Sequence, residues 1–272
     1  MTVTPPASGA AGLVRTLDGL GGFFSLAAPP PTASDAVGWT EVLSAPALEA
    51  RFAVVRATLA DGAGIPAGDL DPKVAVSAVQ VGLASRLWSV ALASVVLHSW
   101  LPDLSSSALL ASPVHRGAVP LGVRDGGRGA AVASPQEAAH RIVEEVVASS
   151  LRDLHQACAR VGRTPEKVLV SKSTSSLVGA LWVLTARRPE HADDVAALGA
   201  LLLADPAVRA GGGLVAADEL PPGVGTAVPG EDPTDRAFLR AGCCVFYHLP
   251  GHGLCPDCVL ARTHPERVTE AH

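Results

Sequence analysis

The stretch "DPKVAVSAVQVGLASRLWSVALASVVLHSW", residues 71–100, constrains this chain more than any other. Its apolar residues lie nearly all round a helix, so no face is left to meet water. Pro72 suits a first helical position, where a missing N–H leaves nothing unsatisfied. Such a helix has to lie at the centre of a domain, as one piece or as two stacked pieces. Its most apolar part, from Leu87, is broken by serines and His98 and stops at Pro102, which is short for a membrane span. Composition agrees with a soluble helical core. Hydrophobic residues make up 48% of the chain and aromatics only 4%, so the helices are expected to pack through Ala, Val and Leu.

Other segments take the same reading. "SAPALEARFAVVRATLA" predicts a helix starting near Pro46. "SPQEAAHRIVEEVVASSLRDLHQACARVG" carries a capping-box pattern at Ser134 and Glu137, with Pro135 between them. There Val143, Val147, Leu151, Leu154 and Cys158 recur at spacings of four and three, which places them on one face, and Gly162 ends the helix. Thr164 and Pro165 open a further helix, and "PEHADDVAALGALLLAD" a shorter one that stops at Pro206. Between Leu109 and Ala133, short Val/Leu runs separated by Pro, Gly and Asp-Gly predict two or three short strands or an ordered loop. Residues 206–235 read as a Gly/Pro-rich loop. The expectation is a mainly α chain, α+β by virtue of a small strand region. A partly ordered segment spans 1–35, a helical body 36–235 and a compact C-terminal cysteine lobe 236–272.

Several function classes are excluded early. The net charge is −5 with no basic block, which argues against a nucleic-acid binder that depends on phosphate contacts. The N-terminal "MTVTPPASGAAGLVRTLDGL" has no charged region followed by an apolar one, so no signal peptide is expected and the cytoplasm is the default. "GAGIPAG", residues 62–68, has the wrong glycine spacing for a dinucleotide fingerprint and reads as a loop.

Four of the five cysteines fall in "RAGCCVFYHLPGHGLCPDCVLART", residues 240–263. In a reducing compartment clustered thiols point to metal or redox chemistry. Cys255 and Cys258 form a Cys-x-x-Cys turn that aims two sulfurs at one centre. Cys243 and Cys244 are adjacent, and neighbouring side chains on a strand point to opposite faces, so both serve one site only if the backbone turns there. Gly242 is the residue that permits such a turn, while Pro250-Gly251 and Gly253 fold the second pair back. Spacing alone leaves three readings open: a tetrahedral zinc staple, two disulfides, or an iron–sulfur cluster, whose two irons accept separate ligand pairs.

Cys-Cys, ten residues and Cys-x-x-Cys near the C-terminus, in the wording "CCVFYHLPGHGLCPDC", resembles the FhuF-type ferric-siderophore reductase family. "ASRLWSVALA" and "SSLVGALWVL" resemble weaker segments of it. The resemblance implies that Cys243, Cys244, Cys255 and Cys258 all ligate one [2Fe–2S] cluster, and that residues 36–235 form the substrate-binding body. It implies one-electron reduction of chelated Fe(III), which hard oxygen donors hold more tightly than Fe(II), with release of Fe(II) in the cytosol. The partner implied is a ferric siderophore; because the sequence offers no nicotinamide or flavin site, an external donor, a ferredoxin or a flavin reductase, is expected as well, with peripheral docking beside a siderophore importer at the inner membrane face as an option. The rival readings are a zinc-stapled or non-redox siderophore-binding helical protein, or a pure electron carrier.

Other candidates carry less. Cys158 reads as a core cysteine. His248 and His252 lie inside the cysteine loop, as outer neighbours of the cluster, as substitute ligands, or facing water. Arg236, Arg240, Arg262 and Arg267 make either a basic rim that attracts an anionic chelate or ordinary surface charge. Lys172, in "SKSTSS", marks either a polar groove facing the cluster or a solvent-exposed face. Trp88, Trp100 and Trp182 read as core or groove-lining aromatics.

Overall fold

The computed structural model describes residues 9–27, 36–112 and 118–269. The chain runs through α1 (Gly9–Gly19), β1 (Val37–Gly38), α2 (Trp39–Val42), α3 (Ala45–Gly62) and α4 (Pro72–His98). Four short strands follow: β2 (Trp100–Pro102), β3 (Leu109–Ala111), β4 (Leu121–Val123) and β5 (Gly129–Ala131). Then come α5 (Pro135–Ile142), a π-helical stretch (Val143–Leu151), α6 (Arg152–Gly162), α7 (Glu166–Arg187), α8 (Ala192–Ala204) and α9 (Pro206–Arg209). The hairpin β6 (Gly212–Ala216) and β7 (Arg236–Arg240) leads into the cysteine segment, where short 3₁₀ turns replace regular structure. The protein is mainly helical with a smaller strand region.

α4 is the central helix, in one piece, packed against α7, α3 and α6. Residues all round it are buried, from Val74 to Val95. Asp71 caps it by accepting from Lys73 N–H at 2.9 Å, and left-handed Ser99 ends it. Both α4 and α7 are long and apolar enough by length and composition to cross a membrane, and both are largely buried within the fold. Burying that apolar surface is the main stabilising contribution, at roughly 25 cal/mol per Å². Inside the segment expected to be partly ordered, Leu13, Leu17, Leu20, Phe24 and Leu26 enter the same core.

The capped helix differs from its simple period. Ser134 Oγ accepts from Glu137 N–H, and Glu137 Oε2 accepts from Ala133 N–H at 2.9 Å, which satisfies two exposed donors reciprocally. Residues 143–151, however, are π-helical, and the longer repeat shifts the buried face. Val146, Leu151, Leu154 and Cys158 are buried, while Val143 and Val147 are only half-buried. Gly162 serves packing as well as termination, because a Cβ there would lie 2.5 Å from Val76 Cγ2 on α4. The left-handed residue that closes the helix is Arg163.

Within the segment read as a loop, residues 206–235, α9 and β6 are regular. β6 pairs antiparallel with β7, Gly212 opposite Arg240. The sheet under the cysteine lobe therefore takes one strand from before residue 236. The lobe has a small core of its own, with Val224, Leu239, Leu254, Cys258 and Ala261. A second cluster, in which Val245, Phe246 and Leu249 pack on Ala60, Leu70 and Val74, fastens it to α3 and α4.

Candidate metal centre

β7 delivers the chain to the site. Arg240 is its last residue, and Ala241 N–H donates to Gly211 O at 2.9 Å. Ser171 on α7 then fixes the next turn: its Oγ donates to Gly211 O at 2.7 Å and accepts from Gly242 N–H at 2.9 Å. Ser171 thereby satisfies a backbone that leaves its sheet. The turn that lets Cys243 and Cys244 serve one site is not made by Gly242. It is made by Val245, whose φ of 61 is left-handed, a conformation a β-branched residue adopts only when its surroundings enforce it. Sequence reasoning missed this because valine gives no turn signal.

Gly251, with φ 79, makes the return turn. Gly253 is required by close approach, since a Cβ would lie 2.4 Å from Thr269 Cγ2 and 2.5 Å from Arg267 O. The tail folds over this point, with Leu254 N–H donating to Arg267 O and Thr269 N–H to Leu254 O.

The four sulfurs form one connected set. Cys244 Sγ lies 3.9 Å from Cys255 Sγ, and Cys243 hydrogen-bonds to both Cys244 and Cys258. Among the described residues no three His, Cys, Asp or Glu side chains are grouped to hold a single metal ion. Cys244 and Cys258 are buried, whereas Cys243 and Cys255 are half-buried. As thiols the set shares its protons. Cys243 is pushed far above the ordinary thiol range because it donates to Cys244 and Cys258, and Cys255 is raised chiefly by its bond to Cys244. Cys244 is pulled far below that range by accepting from Cys243 and Cys255; burial opposes this, and the charges of Arg240 and Lys172 add to it. Cys258 is lowered to about 7, first by accepting from Cys243, with Leu260 N–H also donating to it.

Arg240 is the dominant neighbouring charge. Its side chain is fully buried, and Nη2 lies 3.0 Å from Asp257 Oδ1. Burial alone would weaken its charge, but Asp257, Cys244 and Cys255 outweigh burial and hold it above its ordinary value. Nη1 is buried with no hydrogen-bond partner among the described residues. Asp257 is fixed in turn by Ser175 Oγ, and its carbonyl accepts from Arg240 N–H at 2.9 Å.

The other residues singled out in the sequence fall in different places. His248 Nδ1 lies 2.8 Å from Asp71 Oδ2, so it ties the lobe to the cap of α4. His252 Nδ1 lies 2.9 Å from Gly253 O, beside the Phe246 ring. The basic rim does not include Arg240, which is interior; Arg236 and Arg262 are exposed, and Arg267 sits over the Tyr247 ring. The sulfurs draw backbone donors from Val245, at 3.4 Å to Cys243 Sγ, and from Leu260. Cys158 is remote in the helical core, with burial raising its thiol to about 12. Trp88 and Trp100 are buried, whereas Trp182 is 43% exposed.

A [2Fe–2S] group fits these residues. Four sulfurs in one connected set match the ligand count of two irons, backbone N–H groups reach two of the sulfurs, and a buried guanidinium offsets thiolate charge. No curated protein matches the chain. A family model for the FhuF 2Fe-2S C-terminal domain matches residues 240–260, all four cysteines included, so the C-terminal region of this protein carries a domain of that family.

Proposed function

We propose that the protein is a ferric-siderophore reductase, an iron–sulfur oxidoreductase whose Cys243, Cys244, Cys255 and Cys258 hold one [2Fe–2S] cluster. The observation that carries this reading is the gathering of four sulfurs beside a buried Arg240 inside the matched segment. When bound, such a cluster supplies the exchange of one electron at a time. The reaction takes one electron from an external donor, a ferredoxin or a flavin reductase, and gives it to Fe(III) in its chelate, leaving Fe(II). Oxygen donors hold Fe(II) less tightly, so the metal and chelator part.

The chain's own residues set the conditions. Arg240 places a permanent positive charge beside Cys244 and Cys255, which favours extra negative charge there. Ser175 and Asp257 keep that guanidinium in position. Val245 and Leu260 donate N–H groups to Cys243 and Cys258. Cys243 and Cys255 bring the site to the surface, where donor and chelate arrive by turns. The reading places the reaction in the cytosol, with docking beside a siderophore importer at the inner face of the membrane.

Anaerobic purification followed by visible and electron paramagnetic resonance spectra, iron and sulfide analysis, and assay with a ferric chelate tests this. Two irons and two sulfides per chain, bands that bleach on reduction, and reoxidation by the chelate are expected. A colourless protein with one zinc per chain would make the cysteines a structural staple and the protein a non-redox module. A cluster that no ferric chelate reoxidises would leave an electron carrier.

A further inference from the structure

A groove of about 340 Å³ runs between α4, α7 and the turn after α1, on the side of α7 that faces the cysteine lobe. Its rim is apolar: Phe23 is 50% exposed and Val183 46%. Its polar groups are serines 85, 89, 175 and 176, and the one charged residue lining it is Lys172. Among the described residues no carboxylate pairs with Lys172. Its Nζ lies 5.2 Å from the centroid of Phe246, in the turn directly after the cysteine pair. Ser175, one turn further along α7, hydrogen-bonds Asp257, the partner of Arg240. The groove thus meets the cysteine lobe at two of its residues, Lys172 through Phe246 and Ser175 through Asp257.

Apolar walls and one cation with no carboxylate partner suit an anionic ligand with an aryl or apolar body. The volume is at the low end for a small-molecule site, so it takes part of a chelate and not a whole one. We propose that this groove seats one arm of an anionic ferric chelate, with Lys172 against its oxygen donors. This rests on the reductase reading above and adds the place and charge class of its substrate. The position is favourable electrostatically. Four thiolates repel an anion, and Lys172 stands where it offsets both charges. Arg240 cannot do this, because it is buried and held by Asp257.

The test uses gallium(III) chelates, which match the ferric ones in charge and shape but take no electron, so binding is read apart from turnover. A trianionic gallium tris-catecholate and a neutral gallium tris-hydroxamate are titrated calorimetrically into the full-length protein as purified. Lys172→Gln is expected to weaken the tris-catecholate by roughly ten-fold, the scale of one charged hydrogen bond, and to leave the tris-hydroxamate unchanged. Gly179→Leu fills the groove from a position where a Cβ meets nothing within 4 Å; it improves helix propensity and is expected to weaken both chelates. Circular dichroism and the visible spectrum confirm that both variants are folded. Wild-type affinity for both chelates in both variants would overturn the groove and leave the reductase reading standing. Loss in Gly179→Leu without any charge-dependent loss in Lys172→Gln would overturn the assignment to Lys172. Failure of the wild-type protein to bind either chelate would sink the reductase reading and this inference with it.

Discussion

Arg240 and Asp257 form an ion pair inside the protein, 3.0 Å apart, with the guanidinium fully buried and the carboxylate 9% exposed. The pair closes the cysteine lobe from beneath. Arg240 ends the strand that leads to Cys243, and Asp257 sits between Cys255 and Cys258. One contact thus joins both halves of the sulfur set.

Breaking that pair is expected to be costly. Arg240→Met leaves a buried carboxylate uncompensated and should destabilise the fold by about 3–5 kcal/mol, while the double variant Arg240→Met/Asp257→Leu recovers most of the loss. Urea denaturation of the three proteins checks this. If the single variant unfolded at the wild-type midpoint, the pair would contribute nothing. A milder Arg240→Gln that retains its iron should show a more negative reduction potential, because removing a cation penalises the more negative reduced state.

The cysteines should divide four to one. Serine at 243, 244, 255 or 258 is expected to abolish or sharply reduce bound iron and sulfide. Cys158→Ala should leave metal content unchanged, since that thiol is buried in the helical core and burial pushes it up to about 12. Iron and sulfide analysis of the five variants decides it, and retention of a full cluster by any of the four serine variants would remove that residue from the ligand set.

Two glycines of the lobe should behave in opposite ways. Gly253→Ala forces a methyl into Thr269 and the Arg267 carbonyl, so the tail must shift; a loss of roughly 1–3 kcal/mol is expected, as for overpacked sites, with faster iron loss. Gly242→Ala meets only ordinary contacts, the nearest at 3.4 Å, and should be tolerated. Thermal melts and iron-release rates of the two variants give the comparison.

Acid should destabilise the helical body through His155. Burial lowers this imidazole to about 4, against about 6.5 in an unfolded chain. Below pH 6.5 the unfolded state binds the proton first, so stability is present above 6.5 and declines as the pH falls towards 4, by about 3 kcal/mol in total. The Nε2 atom has no hydrogen-bond partner among the described residues, so His155→Leu leaves no polar partner stranded at that atom. Denaturation curves between pH 4 and 7 should lose much of their slope in that variant, and an unchanged slope would acquit His155.

By itself the sequence determined the central helix, because a run apolar all round from Val74 to Val95 has nowhere to go but inside. It determined the capping box at Ser134, fixed by local chemistry, and between Leu109 and Ala133 it left short strands or an ordered loop, which only pairing with Val37–Gly38 and Trp100–Pro102 resolved into strands. It also marked the four cysteines, since sulfur at that spacing has few uses. Only the tertiary structure decided the rest. The π-helical turns that rotate Val146 inward, in place of Val143 and Val147, answer to packing against neighbouring helices and leave no trace in a simple period. β6 needed β7 to be a strand at all. The turn at Val245 runs against that residue's own preference and exists because Phe246 and Leu249 are anchored on α3 and α4. Arg240 read as a surface charge until a partner seventeen residues away, Asp257, made its burial affordable. Local signals specify elements whose energy is local; the metal centre is built from contacts between distant residues, and those appear only once the chain has folded.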